Sequence, residues 1–310
     1  MKTVTNIIYS AFAVVILATG AVTANGAVND LFASVNGSGS NSGGLIYQYT
    51  PLGVRSIFAS GLSRPRGVAF DGFTNLFVAT NTFDSSTGTF SAAILKILPN
   101  GTQTTFANIN GPSADVFAQD LKFDSAGNLF VMVGDNTDPN EASTIYKFTP
   151  GAVQSTFGSV PGQGFGLAFD SAGNLYAADA VDRIIYKFTT DGTRTVFASM
   201  TNAGPVGLAF DKAGNLFVST EPNLGSHTIL KFTPDGTEST FAMGLNFPRG
   251  LAFNQGGNLF VAEIIQTGPG DILRFTPSGS KTVFASGIGL QGNGGPEYLA
   301  VQPPTTPPKK

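Results

Sequence analysis

One short phrase recurs along the chain at a spacing of roughly 40 to 50 residues, a period that short strands satisfy only in a propeller or a solenoid. It begins at Tyr47, Leu95, Tyr146, Tyr186, Leu230 and Leu273, reads approximately Tyr-Lys-Phe-Thr-Pro, and closes on Phe58, Phe106, Phe157, Phe197, Phe241 and Phe284. A second phrase precedes it. Gly-Leu-Ala-Phe-Asp, starting at Gly67, Gly166, Gly207 and Gly250 with a variant at Asp120, is followed by Asn-Leu-Phe-Val-Ala or a close relative. Each unit therefore holds four short apolar runs separated by Gly, Asn, Asp and Pro, the pattern of four strands and tight turns.

The sixth unit is split between the two ends. Tyr298-Leu-Ala-Val301 matches the first run of a unit, and the other three runs lie at 31–35, 45–49 and 54–58. An open solenoid has no reason to divide a repeat in this way. A closed ring does, because the shared blade ties last to first and removes the exposed edge. The sequence thus predicts an all-β fold: a six-bladed β-propeller of four-stranded blades over 25–302, closed by a C-terminal strand completing the N-terminal blade.

Composition limits what the ring can do. Charged residues are 12% of the chain and the net charge is −3, against about 25% charged in an average domain. With no basic stripe, nucleic acid is not an expected partner. Cys is absent, which removes disulfides and thiol nucleophiles. Lys2, the apolar run 7–17 and the small-x-small site Val22-Thr-Ala24 read as a signal peptide over 1–24, too short to span a bilayer. The expectation is an extracytoplasmic protein, secreted or periplasmic, free of the membrane after cleavage and monomeric. Residues 303–310 form a Pro-rich tail, expected to be disordered.

Spacing locates the working surface. The step from Asp to Asn in the turn between the first and second runs never changes (71 to 75, 124 to 128, 170 to 174, 211 to 215). The connection from the second to the third run varies, from Asn75–Lys96 down to Asn174–Lys187. Function concentrates in variable loops on a rigid frame. The face carrying these loops and the loops between units is the expected site of action, and the Asp-x-x-Gly-Asn turns are structural. Lys96, Lys147, Lys187, Lys231 and Arg274 share one repeat position and read as scaffold, solvated or paired with neighbouring blades. Asp179, Glu221 and Glu263 end second strands. His227, the only histidine, reads as a surface-loop residue.

The sharpest departures from the repeat are Asp120 and Lys122, where other units have Gly and Ala, and Tyr298, where others have Gly. Asp120 and Lys122 share one face of a strand and can pair with each other. They can instead join Arg66, Gln119, Arg249, Glu297 and Tyr298 in a polar pocket at the channel mouth. These seven are the candidate ligand-binding residues; no catalytic or metal-ligating residue stands out.

The stretch Gly166-Leu-Ala-Phe-Asp-Ser-Ala-Gly-Asn-Leu-Tyr-Ala-Ala-Asp-Ala-Val-Asp-Arg-Ile-Ile-Tyr-Lys-Phe188 resembles an NHL repeat. The resemblance covers five units clearly and the split one weakly, and it implies that the acids ending second strands, Asp179, Glu221 and Glu263, hold the following loop. It also implies a propeller that binds a small molecule, glycan or protein, and the leading expectation is a non-catalytic binding module without a cofactor. The architecture is also similar to the SMP-30/gluconolactonase-like propellers, and the alternative expectation is a lactonase-like hydrolase or a lyase at the axial channel mouth. That second resemblance implies calcium held by Glu, Asn and Asp just before each first strand. The matching positions here are Arg66, Gln119, Phe165, Val206, Arg249 and Glu297. Only Glu297 among them is a carboxylate.

Overall fold

A computed structural model describes residues 29–37, 41, 43–138, 142–222, 227–265, 268–289 and 295–304. The expected signal peptide and residues 305–310 of the tail lie outside the described residues. Six four-stranded antiparallel sheets stand around an axis. Blade 1 combines β1 (Leu31–Val35), β2 (Gly44–Tyr49) and β3 (Arg55–Leu62) with the last strand of the chain. Blade 2 is β4 (Val68–Phe70), β5 (Leu76–Asp84), β6 (Thr89–Ile97) and β7 (Gln103–Asn108). Blade 3 is β8 (Val116–Phe123), β9 (Leu129–Asp135), β10 (Ser143–Phe148) and β11 (Gln154–Val160). Blade 4 is β12 (Gly164–Phe169), β13 (Leu175–Asp179), β14 (Ile184–Phe188) and β15 (Arg194–Ser199). Blade 5 is β16 (Ala203–Phe210), β17 (Leu216–Pro222), β18 (His227–Phe232) and β19 (Glu238–Leu245). Blade 6 is β20 (Pro248–Phe253), β21 (Leu259–Glu263), β22 (Gly270–Phe275) and β23 (Lys281–Ile288), and β24 (Pro296–Val301) follows it.

The innermost strands β4, β8, β12, β16, β20 and β24 touch in turn, and β24 meets β4, so the ring is closed. β24 enters blade 1 antiparallel to β1, with Leu31 opposite Val301 and Ala33 opposite Leu299. This is the split blade expected from the sequence.

Close approach at the axis explains the recurring Gly. A Cβ on Gly67 would lie 2.6 Å from the Cα of Asp120, and one on Gly250 would lie 2.6 Å from the Cα of Tyr298. At Gly207 it would collide with the carbonyl oxygen of Arg249. Neighbouring backbones are also stitched by short polar side chains. Ser219 Oγ accepts from the Gly207 amide and donates to the Arg249 carbonyl, both at 2.7 Å. Asn81 bridges the Ala118 amide and carbonyl at 2.7 and 3.0 Å.

Away from the axis the blades diverge, and aromatic rings fill the wedge. In blades 1 to 5 one ring from the second strand meets two Phe rings edge-on, one from its own outer strand and one from the innermost strand of the next blade. Phe77 packs against Phe106 and Phe123 at 5.1 and 4.9 Å between centroids, and Tyr176 against Phe197 and Phe210 at 5.0 and 4.9 Å. Such pairs add about 0.5–1.5 kcal/mol each beyond simple burial. The repeated Lys lies over the same ring within its own blade, as with Lys96 above Phe77 at 5.7 Å and Lys147 above Phe130 at 5.3 Å. Its partner is therefore the cross-strand aromatic (Phe77 opposite Lys96) rather than a neighbouring blade.

The constant turns are structural, as expected. Asp124 accepts the Ala126 and Asn128 amides and the Asn128 side chain, while Gly127 takes a φ of 80° that favours glycine.

Two outcomes follow from this packing. Gly207→Ala should cost about 1–3 kcal/mol, as overpacking does, visible as a lower urea midpoint with an unchanged slope. Removing the chain from Pro296 onward strips the innermost ladder of blade 1 and should lower stability by several kcal/mol, on the order of the whole stability of an ordinary domain. A truncated protein with the full-length midpoint would show that the ring closes some other way.

Candidate functional site

The loop-face mouth of the channel is built by irregularities in the innermost strands. β8, β12, β16 and β20 each slip register against the next strand, between Ala118 and Leu121, Gly164 and Leu167, Pro205 and Leu208, and Pro248 and Leu251. β24 slips between Pro296 and Leu299, opposite Ser34. Gln119, Phe165, Val206, Arg249 and Glu297 all fall inside these bulges, and Arg66 immediately precedes β4. A bulge frees residues from the ladder and re-aims their side chains. The rim is thus the one place where a rigid barrel of strands presents six independently chosen residues.

Four of the seven candidate residues meet here. Arg66 Nη1 lies 3.3 Å from Glu297 Oε2, and its guanidinium rests 4.9 Å from the centre of the Phe117 ring. Arg249 lies 5.8 Å from the Phe165 ring centre and 3.9 Å from Glu221 Oε2. Burial works against the Arg249 proton, but the carboxylates of Glu297 and Glu221 outweigh it and raise the pKa. Arg249 is therefore a permanent cation. Tyr298 sits beneath them, fully inside. Burial pushes its phenol well up, with Asp120, Arg66, Arg249 and Glu297 all acting on it. Gln119 lines the adjoining cavity of about 330 Å³ together with Arg66, Phe117, Asp135 and Asn136. Hydrogen bonds from Ser113 and Thr137 outweigh burial at Asp135 and hold its carboxyl below the usual value.

Several polar atoms at this mouth have no partner within the described protein: Arg66 Nε, Gln119 Oε1, Tyr298 Oη and His227 Nε2. Buried polar groups are nearly always paired; other such atoms among the described residues, Tyr49 Oη and Gln302 Oε1 among them, belong to other parts of the ring.

Asp120 and Lys122 do not join this group. Lys122 Nζ lies 2.7 and 2.8 Å from the two Asp120 carboxylate oxygens, and its side chain lines the opposite, turn-side end of the channel. Asp120 is buried between the two ends and also accepts the Leu167 amide of the next blade at 3.0 Å. Gly67, Gly166, Gly207 and Gly250 at this position leave no side chain to make this latch.

The strand-end acids divide. Asp179 accepts the amides of Gly162 and Asp182 at 2.8 and 3.1 Å, and Glu263 accepts that of Asn246 at 2.8 Å. Burial raises both carboxyls. Asp179 holds both the loop leading into the innermost strand and the loop that follows it, whereas Glu263 holds the former. Glu221 is one residue further along its strand, since Asp179 and Glu263 pair with Gly164 and Pro248 while Glu221 pairs with Gly204 beyond Pro205. Alternation turns it to the other face, toward Arg249. The sequence reading missed this, and counting from Asn215 would have shown it.

The same reading missed His227. It opens β18 half-buried, its ring 4.1 Å from that of Phe247. Burial lowers the imidazole pKa, Glu221 opposes that shift and Arg249 adds to it. A lone His gives no cluster signal; its place at the start of a third strand on the working face was the available clue.

A calcium ion does not fit this ring. It takes six to eight oxygen ligands, several of them carboxylate. Here Glu297 is engaged by Arg66, Phe165 and Val206 offer no side-chain oxygen, and two guanidiniums occupy the rim. Among the described residues no group of three or more His, Asp and Glu side chains converges.

The family model described as SMP-30/Gluconolactonase/LRE-like region matches residues 76–261, well over half of the chain. The protein belongs to this family. It is a six-bladed propeller of the SMP-30/gluconolactonase-like kind rather than specifically an NHL-repeat propeller. No curated protein matches the chain. Among solved structures it is similar to a virginiamycin B lyase from Staphylococcus aureus, at 19% identity and TM-score 0.53 over 71% of this chain and 69% of that one. It is similar to a gluconolactonase from Xanthomonas campestris, at 16% identity and TM-score 0.59 over 77% and 84%. TolB from Acinetobacter baumannii superposes with TM-score 0.66 at 12% identity over 89% and 67%. At these identities the likeness is one of fold. The expectation that this SMP-30/gluconolactonase-like propeller is more a binding module than an enzyme is overturned by the family match and by the lyases and gluconolactonases among propellers of its shape.

The electrostatics at His227 yield a direct check. Its folded pKa lies below 6.5, so between those values the unfolded chain holds a proton that the folded chain does not. Stability should fall as pH drops from 6.5 through that window. With one His in the chain, its NMR titration is unambiguous. Glu221→Gln should move the midpoint further down and Arg249→Met should move it up. A wild-type midpoint at or above 6.5 would refute the placement.

Proposed function

We propose that this protein is an enzyme that opens a cyclic ester at the loop-face mouth of the axial channel. The Arg66–Glu297–Arg249 array on the bulged rim carries this reading. Two guanidiniums, each laid on an aromatic ring, one paired with Glu297 and the other with Glu221 while feeling the field of Glu297, form a preorganised pair of donors. Arg offers a fixed fork of N–H groups suited to oxyanions. Aimed at an ester carbonyl, such donors stabilise the charge that develops on its oxygen as the acyl carbon is attacked. They would also hold a carboxylate or hydroxyl elsewhere on the substrate.

The remaining chemistry needs a base, and His227 suits it. Its depressed pKa leaves the imidazole neutral near pH 7, and Nε2 is covered and without a partner among the described residues, so water reaches it only when its surroundings shift. In the hydrolytic course Nε2 takes a proton from water, the resulting oxygen adds to the acyl carbon, and the acyl C–O bond breaks. The imidazolium then returns its proton to the departing alkoxide, giving a hydroxy acid. Glu221 and Arg249 flank this imidazole electrostatically, so Arg249 links the base to the oxyanion donors. The adjoining cavity of about 330 Å³ falls within the range of small-molecule sites. No step requires a metal ion, in keeping with the donor set.

The test is turnover of a panel of sugar lactones, simple lactones and cyclic depsipeptides in ¹⁸O-water, followed by mass spectrometry. A ring-opened product carrying one ¹⁸O in its carboxyl supports hydrolysis. A product without the label and with a new double bond would replace hydrolysis by elimination. His227→Ala should reduce kcat/KM by about 10²–10⁴-fold, as loss of a general base does. Arg249→Ala should cost about 10²–10³-fold, as loss of an oxyanion donor does. No turnover across the panel, or variants as active as wild type, would overturn the proposal. Calcium and EDTA should leave both rate and melting temperature unchanged; a drop in EDTA restored by calcium would show that the rim does hold an ion.

A further inference from the structure

The cavity of about 330 Å³ beside Arg66 opens between blades 2, 3 and 4. Phe90 and Phe117 give it an apolar wall, their rings edge-on at 5.2 Å between centroids. Its polar atoms fall into two groups. Donors stand on the rim side. Arg66 lines the cavity and uses Nη1 on Glu297. Gln119 has Oε1 covered, whereas its Nε2 is uncovered and makes no hydrogen bond within the described protein. Acceptors stand on the side of blade 3, where Asp135 closes β9 and Asn136 follows it.

Asp135 keeps one oxygen free. Its Oδ1 accepts from Ser113 Oγ and Thr137 Oγ1 at 2.7 Å and from the Thr137 amide at 2.9 Å. Its Oδ2 is uncovered and has no partner among the described residues. Burial opposes the charge, but the bonds from Ser113 and Thr137 outweigh it and hold the carboxyl below its usual value, so Asp135 is ionised near pH 7. Asn136 donates through Nδ2 to Asp115 Oδ1 at 3.0 Å, which leaves its own Oδ1 as a second acceptor. The same Asp115 oxygen accepts the Phe90 amide at 2.7 Å. Among the described residues no ion pair neutralises Asp135 or Asp115. Arg66, by contrast, is matched by Glu297 at 3.3 Å. The fold of the loop uses only Oδ1 of Asp135, and the remaining negative oxygen is left beside an aromatic wall.

We propose that this cavity receives a protonated amine on the acyl side of the substrate, so that the favoured substrate is an amino-substituted cyclic ester. The ammonium lies on Asp135 Oδ2 and Asn136 Oδ1, the carbon skeleton against Phe90 and Phe117, and the ester oxygens toward Arg66 and Gln119 Nε2. The inference rests on the reading that the rim opens cyclic esters, and it adds the group that selects among them. An ammonium on a carboxylate forms the stronger, charge-assisted kind of hydrogen bond, and aromatic faces attract cations. A hydroxyl in the same place would gain neither. A carboxylate there would meet the charge of Asp135. A nitrogen within a few bonds of the acyl carbon stays inside a cavity of this size, which Arg66 and Asp135 both line.

The test compares α-amino-γ-butyrolactone with its N-acetyl derivative and with γ-butyrolactone on the full chain. It is run at about pH 6.5, where an α-amino group, ordinarily titrating at about 7.7–8.0, is protonated. The free amine should raise kcat/KM about 10–100-fold over both analogues, the range of a hydrogen bond to a charged group. Asp135→Asn should erase that ratio, a readout that general damage to the fold would not move. Calorimetry with the hydrolysis-resistant α-amino-γ-butyrolactam, set against γ-butyrolactam, reads the same preference without turnover and should show a similar ratio. Lactone turnover with no advantage for the amine, or an advantage that survives Asp135→Asn, would overturn this proposal and leave ester opening standing. Amine-selective lactam binding with no lactone turned over would support the amine site and remove the chemistry at the rim. Equal binding of the two lactams would overturn the amine site whatever the turnover.

Discussion

The structure depends on how flat sheets are held in a circle. Sheets radiating from an axis crowd at the hub and part at the rim, so each interface needs backbone contact inside and bulk outside. Gly at positions 67, 166, 207 and 250 allows the first, and the edge-on aromatic groups supply the second. Each of the six apolar cores spans two blades rather than lying within one; that of Phe77, Ile94, Leu121 and Val131 joins blades 2 and 3. No blade can bury its own apolar faces alone. At the interface from blade 6 to blade 1 the edge-on trio is incomplete, because Val301 stands where the other innermost strands end in Phe, and Tyr47 and Tyr49 join Phe260 and Phe284 there.

Against this regular background, departures from the repeat acquire meaning. A bulge in five of the innermost strands, and the residues ahead of β4 in the sixth, free one rim residue per blade from the ladder without disturbing the sheets. Those six residues differ from blade to blade while their neighbours scarcely change. The same logic separates Glu221 from Asp179 and Glu263. One extra residue reverses its direction, and an acid that would anchor a loop instead faces a guanidinium at 3.9 Å. The two ends of the channel diverge by similarly small changes, polar residues at the bulges on one side and alanines on the other.

The blades, their strand count and the split closure were legible because each rests on local pattern: alternating apolar runs, Gly-Asn turns and a phrase long enough to recognise in every copy. Loop lengths pointed to the face on which the bulged rim lies. The convergence of Arg66, Arg249 and Glu297 was suggested by equivalent positions, since a ring brings equivalent residues together. The sequence reading failed where geometry is not periodic. Lys122 pairs with Asp120, as the shared strand face allowed, but nothing periodic showed that its side chain lines the turn-side end of the channel. His227 carried no partner within the sequence; it became interesting only when Phe247 and Arg249, distant in the chain, proved to surround it.

The split blade also sets a timetable. Ser34 and Tyr298, hydrogen-bonded across 264 positions, sit in the first and last strands of the ring. As the polypeptide emerges from the ribosome, blades 2 to 6 can assemble in order, but blade 1 must wait with its inner edge open until the final strand is made. Non-local pairings of this span are slow to form, and an unpaired inner edge is prone to misassociation. The ring therefore stays unlocked, its inner edge open at blade 1, until β24 has been made and seated.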